Sequence, residues 1–122
     1  MNNQKDLQVV IKARQLVVHT VRLTSNANKY PKKYRYALVD KIQRLSMEIL
    51  TALLHANRTD IRTFKRERLE LQTKAITYCD ELLMYIEMSH ELEIINVPSM
   101  ENWSRMVCDI KRMTIAWRTN AG

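Results

Sequence analysis

Glycine is almost missing from this 122-residue chain: it occurs once, as Gly122. Proline occurs twice, at Pro31 and Pro98. Tight β-hairpins need residues that tolerate positive φ, so a chain without interior glycine has few ways to turn strands back on themselves. The same scarcity excludes a P-loop or any glycine-rich phosphate cradle, and no GxSxG or HExxH pattern occurs. Cys79 and Cys108 fall in apolar helical patterns, without a CxxC pair or a histidine at ligand spacing. They read as small buried hydrophobes of a reducing cytoplasm. No apolar run approaches the ~18 residues of a membrane span. Residues 1–6 are polar and lead into no uninterrupted apolar run, so neither a secretory segment nor an anchor is expected. His19, His55 and His90 stand apart, each expected on the polar side of a different helix. A di-iron bundle needs two ExxH pairs, and Glu87 with His90 makes only one. Neither metal nor cofactor nor enzymatic activity is therefore expected.

Hydrophobic residues make up 46% of the chain, enough for one core and one domain spanning 1–122. Their spacing predicts four helices, over about 5–27, 32–57, 60–91 and 99–118. In the first, Leu7, Val10, Ile11, Val17, Val18 and Val21 follow helical spacing, and Val9, Leu16 and Leu23 form a second stripe. Leu38, Ile42, Leu45, Ile49, Leu53 and Ala56 define one face of the second. The third carries two seams: Leu69, Ile76, Cys79, Leu83 and Ile86, and Leu71, Ala75, Tyr78, Leu82 and Tyr85. Thr59 or Asp60 is expected to cap it. The fourth, expected to start at Ser99 as N-cap, has the clearest apolar face: Met100, Trp103, Met106, Val107, Ile110, Met113 and Trp117. Short connections predict an all-α, up-down-up-down four-helix bundle. The doubled stripes on helices 1 and 3 admit two readings, one wide core face or a core face plus a subunit contact.

Charge is unevenly distributed. Of 20 Lys and Arg, 15 lie within residues 1–68, with only 5 of the 13 carboxylates. Such an excess repels itself in a compact state, and suits a polyanion or an acidic partner. Antiparallel packing is expected to gather Lys5, Arg58, Arg62, Lys65, Arg66, Arg68, Lys111, Arg112 and Arg118 at one end, partly offset by nearby acids. Arg58, Arg62 and Arg66, four residues apart, are expected near one helical face, close to a helix N-terminus. At the other end, Lys29, Lys32, Lys33 and Arg35 are expected to meet Glu87, Glu91, Glu93 and Glu101, leaving a weaker field. The first cluster is thus expected to carry more of any anion binding. The stretch from Lys29 to Tyr36 nonetheless interleaves cations with tyrosines, which suits phosphate contact with base stacking as well as tyrosines merely closing the bundle. Nothing resembles an RRM, KH or zinc-finger signature.

Tyr30-Pro31-Lys32-Lys33-Tyr34-Arg35 followed by Ala37-Leu38, then Ala56-Asn57 before a basic helix, resembles the first helical hairpin of the accessory variability determinant proteins. These serve diversity-generating retroelements, and are related to four-helix bundles encoded in intervening sequences of bacterial ribosomal RNA genes. Ile110-Lys111-Arg112-Met113 through Ala116-Trp117 is similar to the family's closing segment before a tryptophan. The resemblance covers roughly 7–118. It departs where family glycines are replaced by Lys111 and Ala116, and where Met84 and Glu87 stand in place of arginines. It implies a non-enzymatic, cytoplasmic bundle forming a barrel-like homopentamer. Its implied partners are a reverse transcriptase and RNA, with DNA or an RNA/DNA hybrid as further nucleic-acid partners. The implied role is support of mutagenic cDNA synthesis that diversifies a target gene. A bundle of the intervening-sequence type, with a role not known, and a protein–protein adaptor remain the alternatives.

Overall fold

The computed structural model describes residues 4–120, with side chains described from residue 8 onward. Lys5, Asp6 and Leu7 therefore lie outside the described side chains. Four helices run Gln4–Thr24 (α1), Asp40–Arg58 (α2), Lys65–Glu91 (α3) and Val97–Asn120 (α4). Each packs on the next, and α4 closes the bundle against α1. Long-range bonds establish the antiparallel order. Gln43, early in α2, donates to the Thr24 hydroxyl at the end of α1, 2.9 Å away. Arg118 at the end of α4 reaches Thr73 in the first half of α3 at 2.8 Å. The expected up-down-up-down bundle is the fold observed.

The core follows the predicted faces of α2 and α4 closely. Ile42, Leu45, Ile49 and Leu53 of α2 and Trp103, Val107 and Ile110 of α4 are all buried in one core. On α1 the buried stripe takes Val9 and Leu16 from the second predicted stripe and adds Ala13 and Thr20, while Leu23 of that stripe is half-buried. Ile11 and Val18 of the first stripe stay exposed, and Val10, Val17 and Val21 are half-buried. The two seams of α3 prove to be the flanks of one wide stripe. Ala75, Cys79, Leu82 and Ile86 are fully buried, with Ile76, Tyr78, Leu83 and Tyr85 half-buried beside them. Burial pushes the Cys79 thiol up to about 12; Cys108 is half-buried and also free.

Helix boundaries depart from expectation where side chains compete for backbone groups. The second helical region enters through a 3-10 turn, Lys32–Tyr34, and a π-helical turn, Arg35–Val39. The wider π turn lets the neighbours Leu38 and Val39 both enter the core. α3 starts at Lys65, not at Thr59 or Asp60. The Asp60 carboxylate accepts the Arg62 N–H at 3.2 Å and the Thr63 hydroxyl at 2.8 Å, making a separate turn. Those bonds hold the Asp60 pKa below the usual carboxylate range, the Thr63 hydroxyl foremost. Phe64, at φ −127 and ψ 47, then breaks the helical path. At 27 residues α3 is roughly 40 Å long. α4 is capped by Asn96, whose Oδ1 accepts the Ser99 N–H at 2.9 Å. Ser99 is thus a first-turn residue, and Pro98 precedes it where no intrahelical N–H is required. With no glycine at hand, the α3 C-terminus places Glu93 at φ 62, while the Ile94 N–H bonds back to the Ser89 carbonyl. A side chain there costs about 1 kcal/mol relative to glycine.

Gln72 is fully buried on α3, and among the described residues neither Nε2 nor Oε1 has a hydrogen-bond partner. A buried amide left unsatisfied costs about 1–3 kcal/mol. Gln72→Met keeps the length and flexibility of the side chain and removes both polar atoms. It is expected to raise stability by about 1 kcal/mol, read as a higher urea midpoint at constant m-value. A lower midpoint would mean that the amide is satisfied in solution.

Candidate nucleic-acid interface

At the first of the two basic clusters, where α2 ends, α3 begins and α4 ends, most of the expected cations are engaged; Lys5 lies outside the described side chains, and Lys111 sits at mid-helix against the middle of α3. Arg58 closes α2, Arg62 sits in the Asp60 turn and Arg66 lies in the first turn of α3. They occupy three different segments, so the shared helical face expected from their spacing does not form. Arg66 Nε bonds Glu70 at 3.2 Å. Lys111 pairs with Asp80 at 2.6 Å, which raises its pKa, and Arg112 pairs with Asp109. Arg118 donates to Thr73. Arg68 is buried, its guanidinium 4.8 Å from the centre of the Trp117 ring. That stacking makes Arg68 part of the packing and removes it from the exposed set. Lys65, Arg66, Leu69, Glu70, Thr73 and Arg118 line an open groove of about 560 Å³.

The segment between α1 and α2 differs. Lys29, Lys32, Lys33 and Arg35 are exposed, and none is in an ion pair among the described residues. Glu93 shares an open groove with Lys29 but makes no ion pair with it. Glu87, Glu91 and Glu101, expected to neutralise this end, form no pair with these cations either. Three tyrosines of the segment part company. Tyr30 is buried, and burial raises its pKa. Tyr34 is half-buried, with Lys33 Nζ 5.2 Å from its ring centre. Tyr36 is 81% exposed.

The charge therefore separates by hairpin more than by end. Between residues 8 and 58 the α1–α2 hairpin holds ten cations against two acids, whereas 65–120 holds eight against nine. Every ion pair found among the described residues lies within α3 and α4. Sequence spacing could not reveal this, because it shows which charges are near in the chain and not which acids fold onto them.

The histidines are dispersed. His55 is exposed and His90 half-buried, while His19 packs edge-on to Trp103 with ring centroids 6.2 Å apart, contrary to a polar-face position. Burial lowers the His19 pKa. Among the described residues no three His, Cys, Asp or Glu side chains gather closely enough to hold a metal ion. No described helix is long and apolar enough to cross a membrane.

These features define an antiparallel all-α four-helix bundle with a basic hairpin. No family model matches the chain, and no curated protein matches it. Among solved structures the chain is similar to the 1.70 Å crystal structure of a protein of unknown function from the S23 ribosomal protein family, from Bacteroides thetaiotaomicron. The TM-score is 0.85 over 96% of this chain and 100% of that one, at 16% identity. At that identity the likeness carries the fold.

Proposed function

We propose that this chain is a non-catalytic, cytoplasmic accessory factor of a diversity-generating retroelement. In this reading it binds the reverse transcriptase and template RNA, supports mutagenic cDNA synthesis and acts as a homopentamer. The observation that carries the nucleic-acid part is the α1–α2 hairpin, with ten cations, two acids and no ion pair among its described residues. A net charge of that density is electrostatically unfavourable in a free bundle and is relieved by a phosphate backbone. The retroelement part rests on the resemblance over 30–38, 56–57 and 110–117. Self-association draws on exposed apolar side chains: Ile11 and Val18 on α1, Met84 and Met88 on α3, and Ile115 on α4.

Co-purification with a retroelement reverse transcriptase tests the proposal. The expected result is one complex holding enzyme, RNA and this protein, with light scattering giving the protein alone a mass several times that of one chain. A monomer that captures no reverse transcriptase would end the retroelement reading. A second reading, a bundle of the intervening-sequence type, is compatible with the same four-helix fold. RNA binding without any affinity for the reverse transcriptase is the outcome that selects it.

A further inference from the structure

The stretch from Lys29 to Arg44 contains six cations and one acid, Asp40. All seven are exposed, and none of the six cations is in an ion pair among the described residues. The cluster around α3 is poorer. From Arg58 to Glu70 five cations meet three acids, Arg66 is bonded to Glu70 and Arg68 is buried. Helix geometry then sorts the tyrosines. Entry through a 3-10 turn and a π turn carries Leu38 and Val39 inward, and leaves Arg35 and Tyr36 side by side on the outside. Tyr30 and Tyr34 are used in packing, so the exposure of Tyr36 is not a by-product of closing the bundle end. Tyr36 is the only exposed large hydrophobic residue between 29 and 44. A membrane surface would call for several apolar anchors here. One bare aromatic ring among unpaired cations instead matches a strand whose phosphates need neutralising and whose base needs a face to stack on. Bases inside a duplex are already stacked on one another and offer no such face to a side chain.

We propose that the 29–44 segment is a docking site for single-stranded nucleic acid, with Tyr36 as the stacking platform for one base. Lys29, Lys32, Lys33, Arg35, Lys41 and Arg44 hold the flanking phosphates. The inference rests on the nucleic-acid reading above and deepens it by naming the site and the strand state. It also reverses the expectation from sequence that the Arg62 and Arg66 end dominates, because ion pairs and burial depleted that end.

Fluorescence anisotropy with an unstructured single-stranded RNA of about a dozen nucleotides, a DNA strand of the same sequence, and an RNA duplex tests it. Tyr36→Ala is expected to weaken binding to both single strands by about tenfold or more and to change duplex binding less than twofold. Tyr36→Phe keeps the ring and should restore wild-type affinity. Lys32→Glu with Lys33→Glu should weaken all three ligands and flatten the salt slope, more so than Arg62→Glu with Arg66→Glu. Circular dichroism spectra are expected to match the wild type, since these side chains are exposed. If Tyr36→Ala binds the single strands like the wild type, or loses duplex and single strands equally, the stacking site is overturned. Should the Arg62 and Arg66 variant alone lose binding, nucleic-acid recognition stands and the site assigned here does not. A wild-type protein that binds none of the three ligands would overturn both the site and the nucleic-acid reading it rests on.

Discussion

Raising the salt concentration from about 50 to about 200 mM is expected to weaken single-stranded RNA binding by about 300-fold. The figure follows from the cations exposed between Lys29 and Arg44. Six phosphates neutralised on a single strand give a log–log slope of about −4, and a fourfold rise in salt multiplies through that slope. Titrations at four or more salt concentrations measure it directly. Little preference among unstructured sequences is expected, because phosphate contacts and stacking on one tyrosine do not read base edges. A slope near zero would show that affinity comes from apolar or hydrogen-bonded contacts, and would remove the electrostatic basis of the proposed function. Assembly of several chains on one strand would steepen the slope in proportion to the hairpins engaged.

Trp103→Ala is expected to cost about 3–5 kcal/mol of folding stability, the largest effect of any single truncation in the bundle. Trp103 is fully buried on α4, in the shared core and beside His19 and Thr20 of α1. Its Nε1 donates to the hydroxyl of Thr20, itself fully buried, at 3.1 Å. Truncation therefore removes the largest fully buried side chain and also leaves a buried hydroxyl without its donor. Against a total of about 5–15 kcal/mol for a domain, that is about a fifth of the margin or more. Trp103→Phe helps to separate the two terms, since it keeps much of the apolar volume while removing the N–H. Its cost should fall when Thr20→Val is added, because the double variant leaves no polar atom stranded. Urea unfolding of the four proteins gives the cycle. A cost below about 1.5 kcal/mol for Trp103→Ala would mean that α1 and α4 are not packed through this residue.

The faces of α2 and α4 were legible because each is a single apolar stripe interrupted by charge, and only one rotation buries such a helix. α1 was ambiguous because β-branched residues surround most of it. Which of Val9 and Ile11 turns inward depends on what packs against α1, Trp103 of α4 included, and that lies on other helices. The start of α3 was misplaced because Asp60 had two possible uses. Its carboxylate bonds Arg62 and Thr63 in a turn of their own, so it caps no helix. Ser99 lost the capping role to Asn96 for a similar reason, as Pro98 fits the first turn of a helix that has already begun. The excess of basic residues is visible in the composition, but which of them remain uncompensated depends on the acids that folding brings near. Arg68 looked like a surface cation, and only the approach of Trp117 from α4 turned it into a packing element.

What the amino-acid order settled, then, is what depends on neighbours along the chain. Near-absence of glycine and the 3.6-residue spacing of apolar side chains require helices, and short polar connections require them to alternate in direction. The concentration of cations in the first half is likewise a property of composition. Packing decided everything that depends on residues distant in sequence: which stripe of α1 enters the core, and which acids neutralise which bases. It also decided that Tyr30 and Tyr34 turn inward while Tyr36 faces solvent. Those outcomes are set by competition for space and for charge between helices 20 to 80 residues apart, and no local spacing rule contains that information.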